Sequence, residues 1–83
     1  MKEPKITVIE RKLGREKASG QAFKDDGLVE IDPRQGAKSY LETCIHEAMH
    51  VLFPQLSERQ ILLKSKKLTK VLWEVGYRKS QLK

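Results

Sequence analysis

The sequence predicts an α+β fold in one domain spanning residues 1–83, with a short antiparallel β-sheet followed by two antiparallel helices. Three observations predict it. The first third carries short β-branched or alternating runs separated by glycine-bearing turns. Residues 39–53 repeat apolar side chains at spacings of three and four. Residues 57–75 do so again after a proline-bearing break.

In chain order, residues 5–11 (KITVIER) are rich in β-branched side chains and read as a strand. Residues 12–20 are polar, include Gly14 and Gly20, and read as a loop or wide turn. Residues 21–24 make a short strand. Asp25-Asp26-Gly27 is a turn signal, and the alternating residues 28–32 pair back as a hairpin. The first helix covers residues 39–53, with an apolar stripe of Leu41, Ile45, Ala48, Met49 and Leu52. Ser39 and Glu42 fit a capping box at its start. Asp32-Pro33 offers an earlier start, and Gly36 favours the later one. Pro54 ends the helix, because the residue before a proline is pushed out of helical geometry. The second helix runs from Ser57, which forms a capping box with Gln60, to Val75. Its apolar face is Ile61, Leu62, Leu68, Leu72 and Val75, and Gly76 suits the residue just past its end. Trp73 and Tyr77, one turn apart, read as a cover for the edge of the core.

Composition bounds the rest. Eighty-three residues with 39% hydrophobic content support one small core, so stability is thin and a bound metal would add to it. One cysteine excludes an internal disulfide and fits a reducing cytoplasm. No apolar run is long enough to span a membrane, and residues 1–5 lack the apolar segment of a signal peptide, so a cytoplasmic location is expected. The net charge of +6 is concentrated in Lys64, Lys66, Lys67, Lys70, Arg78, Lys79 and Lys83, and in Lys12, Arg15 and Lys17 of the first loop. A basic surface attracts polyanions without reading sequence, so weak nucleic-acid contact is one reading; the ordinary one is a solvated helix face. No nucleic-acid motif accompanies it.

The sharpest feature is His46-Glu47-Ala48-Met49-His50, an HExxH pattern holding both histidines of the chain. On a helix, residues four apart share a face, so both imidazoles can bind one zinc ion. Glu47, next to the first ligand, can take a proton from a metal-bound water. Two histidines on a helix are also ordinary surface or core residues. Packing alone, however, gives no reason for a glutamate between two same-face histidines. Zinc needs a third protein ligand. Cys44 stands two residues before His46, which points it away from the ligand face, and it reads as a packing residue. Glu58 begins the second helix, where an antiparallel pair brings it against the His50 end of the first. It also has a plain role, since acidic residues favour any first turn. Glu74 competes, but it lies sixteen residues later, roughly 24 Å along a helix.

Residues 41–58 (LETCIHEAMHVLFPQLSE) resemble the core of the small zincin-type metallopeptidases. More narrowly, the chain is similar to the minimal gluzincin-like proteins of phages, prophages and bacteria, over roughly residues 28 to 78. The sharp part of the likeness is the HExxH and the Ser57-Glu58 that follows; residues 72–77 (LWEVGY) also look like the end of the second helix in such proteins. The resemblance implies a minimal zincin-like core with zinc on His46, His50 and Glu58, and Glu47 as general base. It implies a peptide or protein substrate held along an edge strand by main-chain hydrogen bonds. The chain departs from the large gluzincins in its shorter gap between His50 and Glu58, and in Leu62 and Leu63 standing where a further carboxylate would lie. Tyr40 and Tyr77 are conceivable oxyanion stabilisers, though both read more readily as packing residues. Two function classes follow. One is a zinc-dependent metallopeptidase. The other is a non-catalytic basic binding module, contacting nucleic acid or a host protein, with a structural or vestigial metal site. Glu47 separates them, because a purely structural site has no need of a carboxylate there.

Overall fold

The segment richest in buried apolar side chains takes the middle of the sheet. In a computed structural model, which describes residues 5–14 and 19–79, three strands form: β1 (Thr7–Glu10), β2 (Gly20–Phe23) and β3 (Leu28–Ile31). Their order is β1-β3-β2. Val29 and Ile31 of β3 are fully buried and form the core with Val51; Ile6, Ala22, Tyr40 and Cys44 pack around them. Two helices follow, α1 (Ala37–Leu52) and α2 (Glu58–Glu74), so the α+β class holds. Arg15, Lys17 and Lys83 lie outside the described residues.

The sheet is mixed, which corrects the expectation of an antiparallel one. The β2–β3 hairpin is antiparallel as read from the sequence, with Ala22 opposite Val29. β1 instead pairs with β3 in parallel, Thr7 opposite Leu28. The long polar connection after β1 carries the chain past one strand position, and β3 then fills the gap. Because β1 and β2 run in opposite directions, β3 between them is antiparallel to β2 and parallel to β1. The turn also differs from a tight hairpin. Lys24–Asp26 makes one 3-10 turn, and Gly27 follows with φ +61°. Glycine is required there: a Cβ would lie 2.3 Å from the Lys5 carbonyl oxygen, and the Gly27 carbonyl accepts from Thr7 N at 2.8 Å.

The first helix starts earlier than the Ser39 box, and Asp32 does not cap it either. Gly36 is the N-cap, with no side-chain cap bond. The entry is held by Gln35, whose Nε2 donates to Asp32 O at 2.8 Å and whose Oε1 accepts from Ser39 Oγ at 2.7 Å and Thr43 Oγ1 at 3.0 Å. The Ser57–Gln60 capping box of α2 is formed in both directions, at 3.1 and 2.9 Å. Gly76, φ +96°, closes α2: its N–H donates to Trp73 O and that of Tyr77 to Leu72 O.

The helix faces differ from the simple stripes. In α1 the buried residues are Thr43, Met49 and Val51, while Leu52 is exposed. This helix packs on the sheet and on α2 at once, so two flanks are covered rather than one. In α2 the buried residues are Ile61, Ser65 and Thr69; Leu62, Leu68 and Val75 face outward. Small hydroxyl residues thus share the buried flank with Ile61, and Ser65 Oγ lies 3.4 Å from His46 Nδ1 of α1. Trp73 is half-buried with the Arg78 guanidinium 3.4 Å over its ring, and Tyr77 is exposed rather than covering core. No helix among the described residues is long and apolar enough to cross a membrane.

Candidate metal centre

The centre begins with helical spacing. His46 and His50 lie one turn apart on α1, their ring centroids 5.0 Å apart. Pro54 stops α1 and the Ser57 box restarts the chain as α2, which returns antiparallel. The return is visible in three successive contacts: His50 with Glu58, His46 with Ser65 and Glu42 with Lys66. It sets Glu58 across both imidazoles. Glu58 Oε2 lies 3.0 Å from His46 Nε2, and Glu58 Oε1 lies 2.8 Å from His50 Nε2. Glu74 is remote from this point, sharing a groove with Lys38 near the start of α1. Cys44 packs against the core, and burial pushes its thiol pKa up.

Ligand atoms from His46, His50 and Glu58 all fall within 4.8 Å of one another. Two atoms bound to a tetrahedral zinc at about 2.0–2.1 Å lie roughly 3.3 Å apart. The observed separations of 2.8 and 3.0 Å, each to a different oxygen of Glu58, are a few tenths of an ångström shorter than this, and one donor from each of the three residues would have to draw to that spacing from within 4.8 Å to share one cation. Two imidazoles and a carboxylate are also a donor set that zinc accepts. Without any ion, His50 Nε2 is hydrogen-bonded to Glu58 Oε1 and His46 Nε2 stands 3.0 Å from Glu58 Oε2, so the three side chains form a His–Glu–His clasp.

Glu47 is not among the converging donors. It lines an open cleft of about 610 Å³ together with His46, Glu58, Thr43, Ser19 and Gly20. Burial raises the Glu47 pKa from its ordinary value; the neighbouring imidazoles oppose this and the Glu58 carboxylate adds to it. The cleft wall opposite α1 is the start of β2, an edge strand of the sheet. Strand and helix touch there: a Cβ on Gly20 would stand 2.7 Å from Thr43 Cγ2, 2.9 Å from the Glu30 carbonyl oxygen and 3.3 Å from Glu47 Cγ.

Tyr40 and Tyr77 lie elsewhere. Both line a separate cavity of about 210 Å³ with Cys44. The Tyr40 hydroxyl donates to Glu10 at 2.5 Å, which with burial lifts its pKa to about 12. Neither is at the cleft, so neither stands ready to stabilise an oxyanion there. Sequence reasoning missed Gly20 and Ser65. Gly20 carried no local signal. Ser65 carried one: it falls four residues after Ile61, on the buried phase of α2.

No family model, curated protein or solved structure matches this chain.

Proposed function

We propose that the chain is a zinc-dependent metallopeptidase of the minimal zincin type. The observation that supports this best is the division of labour along one helix turn. His46 and His50 converge with Glu58, while Glu47 stands outside that set and faces the cleft. His46, His50 and Glu58 would hold the ion. Zinc, when bound, supplies Lewis acidity for a carbonyl and for water. Glu47 takes the proton of the attacking water and delivers it to the leaving amine. Burial raises its pKa from the ordinary value, the direction that favours a carboxylate as proton acceptor. The open edge of β2 offers main-chain hydrogen bonds to an extended peptide beside Glu47.

One observation favours the second reading. Lys38, Lys66 and Lys70 gather with Trp73 around a groove of about 420 Å³ between the start of α1 and the end of α2. Lys66 is paired with Glu42, while Lys38 and Lys70 have no ion pair among the described residues. Such a groove suits a polyanion with a stacking face.

One experiment decides between them: zinc content of protein purified without added metal, with turnover of a broad peptide library with and without chelator. Zinc-dependent cleavage that falls ~10²–10⁴-fold in Glu47→Gln, with zinc still bound, is the expected result. Bound zinc without cleavage, together with salt-dependent retention on a polyanion, moves the assignment to the binding module.

A further inference from the structure

The two imidazoles of the centre differ at the nitrogen that points away from Glu58. Nδ1 of His50 is buried and has no hydrogen-bond partner among the described residues. Nδ1 of His46 lies 3.4 Å from Ser65 Oγ, and the Leu62 carbonyl oxygen, 3.1 Å from the same Oγ, is a second acceptor within reach of its single proton. Ser65 is fully buried, at the place where α2 crosses behind His46.

What can stand behind a metal-binding imidazole is limited by its single proton. When Nε2 faces an ionised carboxylate, as both rings face Glu58, the carboxylate only accepts. Nε2 then carries the proton and Nδ1 is an acceptor. When Nε2 gives its lone pair to a cation, the proton sits on Nδ1, and the group behind must accept. A carbonyl or carboxylate serves only the second state. An ammonium or backbone N–H serves only the first. A hydroxyl serves both, because it rotates. Ser65 has the two directions it needs: toward His46 Nδ1 in the first state and toward Leu62 O in the second, where Oγ accepts from Nδ1–H.

We propose that Ser65 is the positioning residue of His46, holding the ring by Nδ1 in both tautomers, so that Nε2 can exchange Glu58 for a divalent cation without losing its partner behind. This rests on the metal reading above. The protons balance: the ring carries one before and after, released to solvent from Nε2 and taken up at Nδ1, while the Ser65 proton swings from Nδ1 to the Leu62 carbonyl. His50 has no such partner and contributes a less firmly held ligand.

The test uses the full chain with zinc alone as probe. Affinity is read by competition with a chromogenic chelator, and the tautomer of each ring by ¹⁵N NMR of the imidazoles. In chelated wild-type protein His46 carries its proton on Nε2, and in zinc-loaded protein on Nδ1. Ser65→Ala is expected to keep the fold, weaken zinc binding about tenfold or more, and move the His46 Nδ1 signal in chelated protein. Ser65→Thr, which restores the hydroxyl, recovers most of the affinity. Thr69→Val, at the other buried hydroxyl of α2, controls for packing and leaves the His46 signal in place. Wild-type protein that takes up no zinc overturns the metal reading. A His46 signal in chelated protein that ignores Ser65→Ala overturns the role of Ser65, whatever the zinc result. Unchanged zinc affinity in Ser65→Ala does the same.

Discussion

Asp32 ties two distant stretches of chain together with one carboxylate. Its Oδ2 accepts from Leu13 N at 3.0 Å and Arg34 Nη2 at 2.6 Å, and its Oδ1 accepts from Arg34 N and Nε, each at 2.9 Å. Arg34 Nη2 completes the knot on the Leu13 carbonyl at 2.9 Å, and the Leu13 side chain is buried. The Arg34 guanidinium, with the two backbone N–H groups, holds Asp32 far below the usual carboxylate range. A depressed folded-state pKa gives stability that is present above the unfolded value of about 3.9 and lost as pH falls through the folded one. Asp32→Asn is therefore expected to melt below wild type at pH 7, with the gap closing as both are taken well below pH 4. Melting curves across that range check it, and a gap that stays constant with pH would show that the charge contributes nothing. Glu47 shows the opposite case, a carboxylate pushed upward chiefly by burial. The two acids differ in what surrounds them: Asp32 is held by a guanidinium and two backbone N–H groups, whereas Glu47 is half-buried beside another carboxylate.

At the scale of elements, the helix carrying His46, Glu47 and His50 was legible because its information is local. Spacing alone puts the two imidazoles on one face. Glu58 was legible for a related reason: Pro54 and the Ser57–Gln60 box fix where one helix stops and the next starts, so the tight connection dictates which residue returns first. The prediction at this scale compares the two candidate glutamates. Glu58→Ala is expected to weaken zinc binding strongly, and Glu74→Ala, remote at the other end of α2, to leave it unchanged. Equal effects in a zinc titration would reject the site geometry. The parallel pairing of β1 was not legible, because neither strand records its neighbour; the connection after β1 decides it. The buried phase of α2 was misread for a physical reason. Ser65 and Thr69 occupy it while Leu62, Leu68 and Val75 face out, so an apolar count points to the wrong flank.

For the whole molecule, the core is small: among the described residues, the buried apolar side chains are Leu13, Val29, Ile31, Met49, Val51 and Ile61. Large apolar residues such as Leu63, Leu68 and Val71 remain exposed, so their burial contributes little. The centre joins the two helices, since His46 and His50 belong to α1 and Glu58 to α2. An ion on all three would crosslink the helix pair, and would bind the folded chain better than the unfolded one. Linkage then sets the size of the effect: about 2.7 kcal/mol at a free zinc concentration one hundred times the dissociation constant. In a domain of this length, 1 kcal/mol moves Tm by roughly 4–8 °C, so zinc is expected to raise it by about 11–22 °C. The rise should grow with the logarithm of free zinc, vanish on chelation, and be largely lost in His46→Ala. A Tm indifferent to zinc in wild-type protein, or the same rise in His46→Ala, would leave the His–Glu–His clasp as a polar tie between the helices, in which Glu58 does for the fold what the ion was proposed to do.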